Sequence, residues 1–315
     1  MSYSLVFIDT NIFLDFYRAR GSRDKLSILQ LIDQHHDRLI TGDQVRMEFS
    51  KNRQRVLLES VQGIKLGSSL PVPSILAEAK QTKAIEASQK QAAAWAKTLQ
   101  TRLGKILRKP ASFDPVYQCT HRLFENGSEL NLTRQKRERY TIRAIARKRF
   151  VLGYPPRKKD DTSIGDAINW EWLVQCAIIA RRNVVIVSRD TDYGVQHDGE
   201  MAINDWLAEE FRERVGKRRR VILTDRLSEA MKLASVTVSN AAVVAENELI
   251  KEVEKPPLFE WVTTNSTLSS ENFRRLMESL RGAGPLIGAS GSAGGTGSAK
   301  LTISSALPPT GQGDA

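Results

Sequence analysis

The sequence predicts an α/β protein, a three-layer α/β/α sandwich with a central parallel sheet. Three observations lead there. Residues 183–187 read NVVIV, an apolar run of the kind a strand needs when both of its faces are buried. Short apolar runs at 4–8, 38–40, 183–187 and 220–223 alternate with stretches of helical spacing, the pattern of a parallel sheet between helical layers. The first run, in SLVFIDTNIFLDF, ends on Asp9, a carboxylate that is costly at the end of a buried strand unless something pairs with it.

The elements follow in order. Residues 4–8 form the first strand, and Leu26, Leu29, Leu31 and Ile32 give 24–34 a helical spacing. A second short strand at 38–40 closes on Thr41 and Gly42, and Asp43 stands where an N-cap belongs before QVRMEFSKNRQRVLLE. Residues 68–73 break the alternation. Beyond them 75–107 is rich in Ala, Gln and Lys, with Trp95, Leu99, Leu103 and Leu107 four apart, which predicts one long helix or a helical pair with an apolar stripe. Residues 116–125 and 133–152 read as helices, and GYPP at 153–156 stops the run. A helix over 162–180, capped by Asp161, Thr162 or Ser163, precedes the NVVIV strand. A helix over 202–215, a strand at 220–223 and a helical stretch at 227–233 complete the alternation. Helices are expected at 241–253 and 270–280. From Gly282 the chain is Gly, Ser, Ala, Thr and Pro with almost no charge, the composition of a disordered tail. The expected organisation is a core of 1–59 and 160–235, a basic helical insertion of 60–159, a C-terminal extension of 236–281 and a disordered tail of 282–315.

Composition narrows the function. The chain of 315 residues is 41% hydrophobic and 26% charged, and 47 Lys and Arg against 36 Asp and Glu leave a formal +11. Such a surplus points to a polyanionic partner, most simply nucleic acid. The charge is also local. Residues 97–159 hold seventeen Lys or Arg and four acids, a net +13, so the rest of the chain is about neutral. Lys136, Arg139, Arg143 and Arg147 fall at three- and four-residue spacing, a stripe able to follow a phosphate backbone; a solvated face or a surface for an acidic protein is the competing reading. Cys119 and Cys176 are far apart and make no disulfide framework, which suits a reducing cytoplasm. No leader pattern opens the chain and no apolar run approaches membrane-spanning length, so no membrane role is expected.

In doubly wound folds, ligands sit beyond the carboxyl ends of the parallel strands. Asp9 ends the first strand, and Asp190 and Asp192 follow NVVIV in SRDTDY, so both groups belong to one sheet edge. Glu48, in the helix opened by Asp43, and Asp166, just after Gly165 at the start of the 162–180 helix, can face the same edge. Singly, each acid has a plainer reading: an N-cap at Asp9, a solvated position at Glu48, a helix-dipole partner at Asp166, turn residues at Asp190 and Asp192. Together they would repel one another unless a cation intervenes, and hard Mg²⁺ or Mn²⁺ prefers oxygen ligands.

FIDTN at 7–11, Glu48 in QVRMEF, Asp166 in SIGDAINWEWL and VVIVSRDTDY at 184–193 resemble the PIN-domain nucleases, most closely larger bacterial PIN-like proteins with a helical insertion between the second and third acids. The resemblance covers 1–59 and 160–235. It implies a metal-dependent endonuclease, usually of RNA, on a parallel α/β/α sandwich. It also implies that Asp9, Asp166 and Asp190 hold the metal directly and that Glu48 acts at the metal or through its water. Asn11 and Ser188 would orient carboxylates or the scissile phosphate, and Asp192 would replace or assist Asp190. The alternatives are a DNA or flap-structure nuclease and a non-catalytic nucleic-acid-binding protein of the same fold. An aspartyl-phosphate phosphatase would want a second Asp where Asn11 stands, and no Gly-rich phosphate loop supports an NTPase. A second copy of the chain or a regulatory protein stays open as a partner.

Overall fold

The computed structural model describes residues 3–20, 23–62, 72–157 and 163–253. They belong to the first of two compact units, residues 1–261. The expected tail of 282–315, the helix at 270–280 and the proposed caps Asp161 and Thr162 lie outside the described residues, as do Asp160 and most of 236–281 beyond Val253.

In chain order the elements are β1 (Leu5–Ile8), α1 (Thr10–Arg18), α2 (Leu29–Gln34), β2 (Leu39–Gly42), α3 (Asp43–Gln62), α4 (Lys80–Arg108), α5 (Pro110–Phe113), α6 (Pro115–Glu125), β3 (Asn131–Leu132), α7 (Glu138–Val151), α8 (Gly165–Ala180), β4 (Val184–Val187), β5 (Gly194–His197), β6 (Glu200–Ile203), α9 (Asp205–Val215), β7 (Val221–Thr224), α10 (Leu227–Leu233) and α11 (Asn240–Val253). Five strands make one sheet in the order β3-β2-β1-β4-β7, every neighbouring pair parallel. Every residue of β1, β2 and β4 is buried, as it must be when helices cover both faces of a parallel sheet. The architecture is the expected α/β/α sandwich. Leu5–Ile8 runs in register with Val184–Val187, so the ends of β1 and β4 coincide and Asp9 and Ser188 leave the sheet side by side.

Several local expectations are corrected. The 24–34 helix divides into a 3-10 turn, Arg23–Leu26, and α2. Asp43 is the first residue of α3 rather than its cap. Pro110–Phe113 forms a helical turn of its own, and the proline at the start of α6 is followed by eleven helical residues including it; a proline at a first helical position lacks only an amide the helix does not use. Residues 131–132, between the helices expected at 116–125 and 133–152, pair with β2 as a fifth strand. Residues 194–203 form an antiparallel hairpin where the sequence reading began a helix at 202.

The core runs along both sheet faces and includes Phe7, Phe13, Phe49, Trp170, Tyr193 and Phe211. Val116, Cys119, Leu123 and Phe124 of α6, Leu132 of β3 and Ile142 of α7 belong to the same core. Within residues 60–159, then, α6, β3 and part of α7 are built into the sheet domain. Arg53 of α3 anchors the segment before α6 by a buried ion pair with Asp114, 2.6 Å, which also accepts from the Tyr17 hydroxyl at 2.8 Å. α4 differs: of its described side chains only Thr82 is buried, and Trp95 and Leu99 of its apolar stripe are 68% and 49% exposed. Among the described residues no helix is long and apolar enough to cross a membrane.

Candidate active site

Asp9 stands at the first position after β1, with extended backbone (φ −70°, ψ 154°) that ends the strand and starts α1. Its carboxylate works in two directions. Oδ1 accepts from the Thr10 amide at 2.6 Å, so Asp9 is the N-cap of α1. Oδ2 accepts from the Ser188 hydroxyl at 2.6 Å. Ser188 is fully buried just beyond β4, and its oxygen also accepts from the Asp190 amide at 3.1 Å and from Asn11 Nδ2 at 3.4 Å. On the other side the Thr10 hydroxyl donates to Glu48 Oε2 at 3.1 Å, and Gln44 Nε2 donates to Glu48 Oε1 at 2.6 Å. A hydrogen-bonded chain therefore runs from α3 through the start of α1 to the loop after β4, along one edge of the sheet.

The electrostatics show which acids gather there. Burial pushes the Asp9 carboxyl up, and the charges of Glu48 and Asp190 push the same way; the hydrogen bonds from Ser188 and Thr10 pull back, and the balance leaves Asp9 titrating at about 7. Tyr193 is completely buried, and its hydroxyl has no hydrogen-bond partner among the described residues. Its phenol is raised well above the usual range by burial first and then by Asp166, Asp9, Glu48 and Asp192. Asp9, Glu48, Asp166, Asp190 and Asp192 are thus within electrostatic reach of Asp9 or of the Tyr193 hydroxyl.

Gly165 explains how α8 comes so close to α3. A Cβ there would collide with Glu48 Oε1 and stand 2.7 Å from Gln44 Nε2. The missing side chain lets the N-terminus of α8 lie against Glu48 with Glu48 and Gln44 where they stand. The expected Ser163 cap is corrected: Ile164 is the N-cap of α8 and makes no side-chain cap, and the Ser163 hydroxyl, one residue earlier, accepts from the Gly165 amide at 3.2 Å.

The donors suit a hard divalent cation. All are oxygens, one carboxylate is buried and crowded by its own kind, and Asn11 Oδ1 and the Tyr193 hydroxyl are buried without hydrogen-bond partners among the described residues. Among the described residues, no three His, Cys, Asp or Glu side chains already stand as a metal-ligating group, so the acids converge without having closed on a common point.

Sequence reasoning missed Thr10, Gln44 and Tyr193 as members of this edge, and the ion pair that steadies it. Asp15 of α1, 2% exposed, pairs with Arg18 at 2.7 Å and with Arg189, the residue between Ser188 and Asp190. The one available signal was periodicity: Asp15 falls among Ile12, Phe13, Leu14 and Phe16, where an unpaired acid would not be tolerated.

The basic stripe is not a free face. Lys136 precedes α7, donates to the carbonyls of Ser128 at 3.2 Å and Glu129 at 3.1 Å, and lies over the Trp172 ring. Arg139 and Arg143 both pair with Asp43 Oδ2, at 2.7 and 3.2 Å. Arg147 is exposed. Because Asp43 directly follows β2, this pairing sets two guanidinium groups at the strand-end edge that carries Asp9.

A family model of the PIN domain matches residues 6–193, more than half of the chain. Comparisons with curated proteins and with solved structures give no match. The matched span begins in β1 and ends on Tyr193, taking in all five acids, Ser188 and the parallel strands that present them, and on that ground the chain belongs to the PIN domain family.

Proposed function

We propose that this protein is a metal-dependent endonuclease that hydrolyses phosphodiester bonds, in RNA, at the edge bearing Asp9. The observation that carries the reading is the hydrogen-bonded chain Gln44–Glu48–Thr10–Asp9–Ser188, which draws three separate elements to one point where acids accumulate. Asp9, Asp166 and Asp190 would hold Mg²⁺ or Mn²⁺, with Asp192 beside them. When bound, such an ion acidifies water and neutralises charge on an attacked phosphoryl group.

The chain's own residues do the rest. Ser188 fixes the orientation of the Asp9 carboxylate and, through the Asp190 amide, the loop after β4. Thr10 and Gln44 hold Glu48, which takes the proton of the attacking water. Asn11, tied to Ser188 and with its carbonyl oxygen unspent, orients the scissile phosphate. Arg139 and Arg143 share one carboxylate and keep a net positive charge between them; their remaining N–H groups meet the flanking phosphates. Arg147 extends that track, and Lys136 adds charge behind it. Both cysteines are free buried thiols, in keeping with a cytoplasmic nuclease.

The test is incubation of the full chain with labelled RNA, single-stranded DNA and duplex DNA in Mn²⁺, Mg²⁺ or EDTA. Internal cleavage of RNA that needs the ion and disappears in Asp9→Asn supports the reading. Cleavage of DNA alone would change the substrate, and binding without cleavage under any ion would leave a non-catalytic binder.

A further inference from the structure

Trp206 and Tyr154 stack on each other with ring centroids 5.5 Å apart and planes 15° from parallel. Both remain on the surface, at 50% and 42% exposure. Large aromatic rings that find each other yet stay open to water mark a surface that something else covers.

Their placement says what. Trp206 lies in the first turn of α9, which leaves the edge where β4 ends and returns the chain to the start of β7. The Asn204 amide donates to the Tyr193 carbonyl at 2.8 Å, and the Asn204 side chain caps the Trp206 amide at 3.0 Å. The platform is therefore tied to the residue whose hydroxyl sits among the acids. Tyr154 is equally fixed: its amide donates to the Arg149 carbonyl at 3.1 Å, and the Arg149 guanidinium binds the Pro155 carbonyl as well as Glu171 and Glu210. Neither ring depends on a loose loop.

Charge selects the occupant. Arg147 and Lys148 are exposed on the last turns of α7, and Arg157 is exposed over the Phe150 ring, 4.6 Å from its centroid. Asp205 and Glu209 are exposed beside Trp206 on α9 and would turn phosphates away, toward the α7 side. An aromatic face with cations on one flank and acids on the other orders a base over the rings and its phosphates over the arginines.

We infer that Tyr154 and Trp206 form a base-stacking subsite for an unpaired nucleotide that neighbours the scissile phosphate. The inference rests on the nuclease reading above and adds a position at which the strand is gripped by a base rather than by its backbone. A duplex base is already covered on both faces, so the subsite favours single strands.

The experiment is binding of a labelled oligouridylate and of a duplex of equal length by the full chain in EDTA, at several salt concentrations. The variants are Trp206→Ala, Trp206→Phe and Tyr154→Ala. Trp206→Ala should weaken the single strand about tenfold, the size of one lost base–aromatic stack, while leaving the salt slope and the duplex affinity unchanged. Trp206→Phe should keep most of the affinity, and Tyr154→Ala should lose part of it. Single-strand affinity in both alanine variants equal to the parent's, or an equal loss for strand and duplex, overturns the subsite and leaves the nuclease reading standing. A parent chain that is dimeric only while Trp206 is present, with unchanged strand affinity, overturns it in favour of a self-contact. A parent that binds neither strand nor duplex at low salt sinks the subsite and the nucleic-acid reading together.

Discussion

Two buried charge clusters flank α8, and they are built on opposite principles. At the strand-end edge, burial first and then the charges of Glu48 and Asp190 raise Asp9, against the neutral donors Ser188 and Thr10, and it titrates at about 7. On the far side of α8, Glu171 is 1% exposed but meets Arg149 at 2.8 Å and Arg214 at 2.7 Å, and Glu210 joins both arginines. Burial alone would raise Glu171 as well; the hydrogen bonds and charges of Arg214 and Arg149 outweigh it and hold the carboxyl below the ordinary range. Desolvation is common to both, and the partners decide the sign. The second cluster is complete in charge, two arginines for two acids, with Glu210 Oε2 left without a hydrogen-bond partner among the described residues, and it joins α7, α8 and α9. The first gathers acids around Asp9 and a phenol, and it is there that we propose a divalent cation binds.

The largest expected effect comes from breaking the complete cluster. Arg149→Met should cost about 3–5 kcal/mol of stability, because it removes one of the two cations that Glu171 and Glu210 share and leaves both acids on Arg214; equilibrium denaturation reads this directly, and a loss under about 1 kcal/mol would mean that Arg214 alone compensates both acids. The strand-end cluster should respond instead to added ion. Mn²⁺ at about a hundred times its dissociation constant should stabilise the fold by about 2.7 kcal/mol. Asp9→Asn should lose most of that gain while melting close to the parent in EDTA. An unshifted melting temperature in the parent protein would remove the contrast altogether.

A smaller effect separates the clusters by pH. A carboxyl held below its ordinary value contributes stability that is full above the unfolded value, 4.5 for Glu171, and is lost as pH falls through the lower folded value. Each pKa unit of difference is about 1.4 kcal/mol. Acid unfolding of Glu171→Gln should therefore depend less steeply on pH below about 4.5 than that of the parent; identical curves would show that the arginines gain nothing from the charge on Glu171. The smallest effect on stability is expected from Gly165→Ala. Its Cβ meets only side-chain atoms, the ends of Glu48 and Gln44 and the Ser163 hydroxyl, which can swing aside, so the fold should change by about 1 kcal/mol or less. Glu48 would nevertheless be displaced, and RNA cleavage should fall far more than stability does. A variant that cleaves like the parent would release Glu48 from the mechanism.

How much of this was readable in advance depended on the range of the interaction. The parallel sheet was legible because burial on both faces forces NVVIV and LVFI to be apolar, a constraint local to each strand. Asp9 was conspicuous because it interrupts such a run, and helix–strand alternation was enough to place it on the same edge as Asp190. β3 left no trace, since two residues carry no period, and the 194–203 hairpin was masked by helical spacing that begins within it. The basic stripe was legible only in part for the same reason: spacing along a helix shows which side chains share a face, but not that Asp43, about a hundred residues away, engages Arg139 and Arg143.

By itself, then, the sequence determined the layers, the order of the strands' acids and the local excess of charge, because each is set by residues near one another in the chain. Only the tertiary structure decided which charges are spent. Whether Glu171 is neutralised, whether Arg139 faces solvent or a carboxylate, and how closely Asp166 approaches Glu48 past Gly165 depend on groups from distant segments meeting in a low-dielectric interior. There a difference of a few ångströms decides whether a buried carboxyl is lowered by arginines, as Glu171 is, or raised by burial and by other acids, as Asp9 is.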